Sequence, residues 1–177
     1  MDIQKHLEFL HQISKLKALD RAGWVRKQIP KPESVADHSF RVALMALIWS
    51  AEAGLDTCHC MKLALIHDLG ESIIGDITPH DPISSDQKFE MEQAAVQSLS
   101  QCLGQEEVIR LWQEYAQQTT SEAKFVMQLD KLEMVIQAAE YSRQSPNIDL
   151  HEFWESTKDI WTFPFLQKIY QSTQIKK

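Results

Sequence analysis

Residues 63–70 read LALIHDLG, an apolar run in which His67 and Asp68 stand side by side. Leu63, Ile66 and Leu69 recur at helical spacing and point inward, so the two polar residues ride on a helix that a core must cover. Histidine and aspartate are costly to bury without a partner. Two other stretches pose the same problem. Asp37 and His38 fall in the first turn of a helix within PESVADHSFRVALMA (32–46), and Asp130 interrupts the apolar run VMQLDKLEMVI (126–136). A divalent cation is a natural common partner, since it accepts neutral imidazole and carboxylate together and offsets the carboxylate charge. Two His and two Asp leave coordination positions open, as hydrolytic chemistry requires for a water and a substrate oxygen. Taken singly, each residue has a plainer reading, as hydrogen-bonded core for the His and as a solvated or Lys-paired group for the Asp.

Working outward from this run, the chain reads as all-helical. Only 5 Gly occur, and alternating runs of Val, Ile and Thr are missing. Ile3, Leu7, Leu10, Ile13 and Leu16 form one stripe of a first helix. DRAGWVRKQIPKPE (20–33) is a loop rich in Arg and Lys, broken by Gly23, Pro30 and Pro32. Ser34 caps a second helix running to about Ala53, with Phe40, Ala43, Leu44, Leu47, Ile48 and Ala51 as its buried face and Gly54 at its end. Asp56 or Thr57 caps the third, which ends near Gly70. ESIIGDITPHDPIS (71–84) reads as turns and loop. A fourth helix runs from Ser84 or Ser85 to about Leu103 and a fifth from Gln105 to Ala116. A sixth is capped by Ser121, with Val126, Leu129 and Ile136 on its face. Two short helical patches lie around Pro164. There is no internal repeat, low-complexity tract or interdomain linker, so residues 1–177 are expected to form a single domain.

Apolar residues make up 44% of the 177, too many for a disordered chain. With 18 Lys+Arg against 25 Asp+Glu the net charge is −7, which argues against a nucleic-acid backbone as partner. It does not exclude a small phosphate substrate, because a cation and a few basic side chains reverse the field locally. The first 17 residues lack a signal-peptide run, and no stretch approaches the roughly 20 apolar residues of a membrane span. Three cysteines without framework spacing suit a reducing compartment, and a cytoplasmic protein is expected. Cys58-His59-Cys60 is too tightly spaced for the usual zinc pair and reads as the start of a helix.

The order His38 … His67-Asp68 … Asp130 resembles the H…HD…D signature of the HD-domain superfamily of metal-dependent phosphohydrolases. Its neighbourhoods PESVADHSFRVALMA, LALIHDLGESIIGDITP and EAKFVMQLDKLEM are similar to those of the 5′-deoxynucleotidase subgroup, a match that covers about residues 8–142. The resemblance implies an HD-domain helical bundle with one metal site between its second, third and sixth helices and a C-terminal extension at 150–177. It implies hydrolysis of deoxyribonucleoside 5′-monophosphates to nucleoside and phosphate, with one divalent cation (Mn, Co, Fe, Ni, Zn or Mg) and a homodimeric assembly. His38, His67, Asp68 and Asp130 are then its ligands.

Other residues divide between roles. Glu71, four positions after His67, would share a helical face with it and serve as general base or water-orienter, unless it is a solvated helix-end carboxylate. Asp76 follows Gly75 and is either a turn former or, as the resemblance implies, a catalytic and sugar-recognising group. The resemblance places Arg21 and Trp24 over the substrate, where a guanidinium would bind phosphate at two points and an aromatic plane would stack on base or sugar. Relatives can carry these two adjacent, whereas Ala22 and Gly23 intervene here. Glu33 and Ser34 are placed near the phosphate or sugar by the resemblance alone. Arg26, Lys27 and Lys31 read as a solvated basic loop, and His80-Asp81 as surface or pocket rim. Competing readings are an HD-fold hydrolase of a dinucleotide, triphosphate or alarmone, a non-catalytic nucleotide-binding protein, and a helical interaction module. Alarmone hydrolases of this fold typically carry HDxxED, whereas Ser72 follows Glu71 here.

Overall fold

A computed structural model describes residues 2–174. Its elements are α1 (Ile3–Ile13), a 3-10 turn (Ser14–Lys17), α2 (Ala22–Arg26), α3 (Val35–Trp49), α4 (Thr57–Ile66), α5 (Glu71–Ile74), α6 (Ser85–Leu103), α7 (Glu106–Gln117), α8 (Ser121–Gln144), α9 (His151–Glu155) and α10 (Pro164–Thr173). No strand forms among the described residues; one isolated bridge joins Asp20 to Ser34.

Side chains at the helix starts satisfy orphan backbone N–H groups and set where each helix begins. Asp2 caps α1, and Asp56 caps α4 by accepting from the His59 N–H. Ser34 with Asp37, and Ser84 with Gln87, form reciprocal capping boxes on α3 and α6. The cap of α8 is Thr120, one residue before the expected Ser121.

α8 is the axis of the molecule. Ala123, Phe125, Val126, Leu129, Leu132, Val135 and Ala138 on it are buried, so it is covered on nearly every side. Around it α3 and α4 contribute Val42, Ala46, Leu63 and Ala64, and the C-terminal segment contributes Leu150, Phe153, Trp154, Leu166 and Tyr170 to the same apolar cluster. A second cluster, with Leu16, Val35, Leu69, Val96 and Trp112, joins the N-terminal segment to α6 and α7.

Four expectations change. The buried face of α3 carries Val35, His38, Val42, Ala43, Met45 and Ala46, whereas Phe40, Leu44, Leu47 and Ile48 are exposed, Phe40 at 63%. Both stripes recur at helical spacing, and the inner one is disguised by small residues and by a histidine. On α1 the outer part of the stripe, Ile3, Leu7 and Leu10, is likewise exposed, while Phe9, Ile13 and Leu16 reach the core. The 20–33 loop contains a helical turn, α2. Lastly, α4 ends at Ile66, and Glu71 opens the separate short helix α5, so His67 and Glu71 do not share one helical face. The intervening turn lies tight against α6. A Cβ on Gly70 would stand 3.3 Å from both the Glu92 carbonyl oxygen and Val96 Cγ2.

Truncating Leu129, wholly buried at the centre of α8, removes packing that no neighbour can restore. Leu129→Ala is expected to cost about 2–5 kcal/mol in chemical denaturation; a cost under about 1 kcal/mol would show that α8 is not the core axis.

Candidate active site

Three elements bring the chemistry together. His38 sits one turn into α3, where the Ser34 capping box fixes the helix start. His67 and Asp68 follow the last turn of α4. Asp130 lies midway along α8, facing both. His38 Nε2 is 3.3 Å from His67 Nε2, 3.2 Å from Asp130 Oδ1 and 3.7 Å from Asp68 Oδ2, and His67 Nε2 is 3.1 Å from Asp68 Oδ2.

Hydrogen bonding on the far side of each ring sets what the near side offers. His67 Nδ1 lies 2.7 Å from the Ala64 carbonyl oxygen, and His38 Nδ1 lies 2.5 Å from Glu133 Oε2. Both partners are acceptors, so both Nδ1 atoms carry the hydrogen and donate it. In the neutral rings both Nε2 lone pairs then point into the same small space, which two carboxylates also enter. A positive charge is needed between them. Donors bound at about 2.1 Å around one ion stand roughly 3–3.5 Å apart; three of the four separations fall there, and His38 Nε2 to Asp68 Oδ2 is 3.7 Å. The donor set therefore fits a divalent cation. His38, His67 and Asp68 each offer a ligand atom within 4.8 Å of the others.

Electrostatics agree with this reading. Burial and Arg21 pull the His38 imidazole down, but Glu133 and Asp130 outweigh them and lift it to about 9. Burial opposes ionisation of Asp68, yet His67, Arg21 and His38 hold its carboxyl well below the usual range. Asp130 is also held low against burial, by Lys131, His38 and His67. Its Oδ2 accepts from the Tyr115 hydroxyl at 3.2 Å and from Lys131 Nζ at 3.0 Å, which leaves Oδ1 toward His38.

A cavity of about 580 Å³ adjoins this cluster, lined by the carboxylates of Asp68, Glu71, Asp76 and Asp130 and by the cations of Arg21, Lys88 and Lys131. Its lining also has apolar members, Met127, Met134, Phe153 and Ile160. Arg21 is 3.4 Å from Asp68 and 4.0 Å from Asp76. Asp76 Oδ2 also accepts the Ala22 N–H at 2.8 Å, tying α2 to the turn after α5, which a φ of +83° at Gly75 makes possible. Glu71 is buried, and its Oε2 has no hydrogen-bond partner in the protein. Burial first, and then the charges of Asp68 and Asp76, push its carboxyl well above the usual range, against Arg21 and Lys88.

The other expected residues lie further out. Trp24 lines the cavity but is only 2% exposed, held by Glu33 through its Nε1–H and packed on Tyr141 and Phe153. It offers a wall and no open plane. Glu33 and Ser34 do not line the cavity: one anchors Trp24, and the other spends its hydroxyl on Asp37. Arg26 and Lys27 pair with Glu152 on α9, and His80 stands at the rim near the same carboxylate. His59 pairs with Glu114, while Cys58 is exposed and Cys60 buried, so that tripeptide does not converge. Glu133, Tyr115 and Lys131 were missed. Glu133, three positions after Asp130 in the same apolar run, had a readable signal; Tyr115 arrives from α7 and had none.

A profile of the HD domain family matches residues 13–168. The 5'-deoxynucleotidase HDDC2 of Bos taurus is 39% identical over 176 residues, covering 97% of this chain and 85% of that protein. The 5'-deoxynucleotidase hdd1 of Schizosaccharomyces pombe is 37% identical over 95% of this chain and 83% of its own length. Among solved structures, the PH0347 protein of Pyrococcus horikoshii superposes with a TM-score of 0.82 at 33% identity, over 94% of this chain and 97% of that one.

His38 binds its proton more tightly folded, at about 9, than at its ordinary 6.5. In chelator-treated protein that stabilisation is complete below pH 6.5 and is lost as the pH rises through about 9. Urea midpoints of chelator-treated protein are expected to fall across this interval, and a rising midpoint would contradict the assignment.

Proposed function

The chain belongs to the HD domain family, and we propose that it is a metal-dependent 5′-deoxynucleotidase, hydrolysing deoxyribonucleoside 5′-monophosphates to deoxynucleoside and phosphate. The observation that carries this reading is the pair of facing Nε2 atoms beside Asp68 and Asp130, two carboxylates that line one cavity with Arg21 and Glu71. The 5′-deoxynucleotidase names of relatives that match nearly the whole chain supply the substrate class. A volume of about 580 Å³ lies within the range of small-molecule sites.

His38, His67, Asp68 and Asp130 would hold one divalent cation. When bound, such an ion polarises a phosphoryl oxygen and makes water easier to deprotonate. Arg21 neutralises phosphate charge with its guanidinium fork. Its ion pairs with Asp68 and Asp76 aim it in advance, so little ordering is left to do when substrate arrives. Glu71 accepts the proton of the attacking water, for which burial and two neighbouring carboxylates give it the needed proton affinity. The water attacks phosphorus in line with the 5′ oxygen, the P–O5′ bond breaks, and the 5′ oxygen leaves as the alcohol, taking the proton that Glu71 received from the water. Asp76 stands beside Arg21, where it serves the leaving alcohol or the sugar. The apolar members of the lining take the base. No covalent enzyme intermediate is required.

The outward stripe of Phe40, Leu44, Leu47 and Ile48 on α3 supports a homodimer built on that face. A cytoplasmic location is supported by three free cysteines, and no helix among the described residues is long and apolar enough to cross a membrane.

Phosphate release from a panel of deoxy- and ribonucleoside monophosphates tests the activity. Deoxynucleotides should be turned over, and chelator should abolish turnover; unchanged turnover after removal of the metal would sink the scheme. Glu71→Gln is expected to lower kcat by about 100-fold or more, with a loss below tenfold denying it the proton-accepting role. Arg21→Met should weaken k cat/KM by about 10- to 100-fold, and an unaltered value would remove Arg21 from phosphate binding.

A further inference from the structure

Glu133 stands outside both the cavity and the four candidate ligands, yet it is wholly buried. A buried carboxylate is costly unless its oxygens are engaged and its charge is met. Both conditions hold. Oε2 accepts from His38 Nδ1–H at 2.5 Å, and Oε1 accepts from Arg41 Nε–H at 2.6 Å. The remaining arms of the Arg41 guanidinium reach Gln137 Oε1 at 2.5 Å and Glu140 at 3.1 Å. Glu133, Gln137 and Glu140 fall at i, i+4 and i+7 on one face of α8, and His38 and Arg41 at i and i+3 on α3, so the network is a ladder between two helices.

The two candidate histidine ligands are therefore not equivalent. His67 donates to a neutral backbone carbonyl, whereas His38 donates to a carboxylate. A carboxylate fixes the tautomer and orientation of an imidazole more firmly and raises the electron-donating power of its other nitrogen. The guanidinium on the carboxylate's far side keeps it ionised and holds its plane in one direction, which a lysine, lacking the fork, would do less well.

We propose that Glu133 is a positioning residue for the cation, acting through His38, and that Arg41 is the clamp that holds Glu133 in place. This rests on the reading of His38, His67, Asp68 and Asp130 as the cation site. Arg41 is itself partly exposed, so its replacement removes no buried apolar packing, and the cost falls on Glu133, whose charge is then less well met.

The test is a Co²⁺ titration against a chromophoric chelator, with the visible absorption of bound Co²⁺ recorded and no substrate present. Wild type, Glu133→Gln, Arg41→Lys and Arg41→Met are compared after circular dichroism and cooperative unfolding have established that each folds. Glu133→Gln is expected to weaken Co²⁺ binding by about 10- to 100-fold and to alter the absorption bands. Arg41→Met should weaken it less, with Arg41→Lys between Arg41→Met and wild type. Folded Glu133→Gln that binds Co²⁺ within threefold of wild type, with unchanged bands, would overturn the proposal. If Glu133→Gln does not fold, Arg41→Met decides, and affinity equal to wild type overturns it. Wild type that binds no Co²⁺ overturns the cation site itself, and the positioning role with it.

Discussion

Two imidazole rings face each other across 3.3 Å, and each has already committed its N–H on the other side, one to a carbonyl and one to a carboxylate. With both rings neutral, two lone pairs aim at one point beside the carboxylates of Asp68 and Asp130, an arrangement that a positive charge relieves, either a proton on His38 or a cation. Much of the surrounding architecture serves to maintain it. α4 stops at Ile66, and His67 then folds its Nδ1 back onto Ala64. The Ser34 capping box begins α3 one turn before His38. α8, buried on nearly every side, carries Asp130 on the cluster's open side and Glu133 behind it. Its burial makes these positions rigid, because an axis packed all round cannot rotate without disturbing every neighbour.

Carboxylates and cations are interleaved within the cavity. Asp68 and Asp76 lie beside Arg21, and Asp130 lies beside Lys131, so each carboxylate there is offset by a cation close at hand. Glu71 is the exception. It is buried beside Asp68 and Asp76 with one oxygen unpartnered, and burial and those two charges raise its proton affinity above the usual carboxylate range. This is the contrast that the proposed hydrolysis would use: ionised groups to hold charge, and one carboxyl with the affinity to accept a proton.

The helical class and the convergence of His38, His67, Asp68 and Asp130 were legible because polar residues inside apolar runs must find one another. Element starts were legible where Ser34, Asp56 and Ser84 signal caps. The inward face of α3 was not, because the helix is apolar on two sides and the true inner stripe contains His38. Glu71 lines the cavity although the continuous helix expected to align it with His67 is broken by the turn at 67–70. Trp24 illustrates a different limit: sequence indicated that an aromatic belonged near the cavity, but only packing against Phe153 and Tyr141 decides that its face is covered. Contacts from distant elements, such as Tyr115 on Asp130, leave no local trace.

The proposed divalent cation would join the two facing imidazoles and the two carboxylates. Anomalous diffraction from crystals grown with Mn²⁺ tests it most directly. The account predicts a single strong peak within bonding distance of His38 Nε2, His67 Nε2, Asp68 and Asp130. Crystals with no peak there, or with the ion bound instead at Cys58-His59-Cys60, would contradict it.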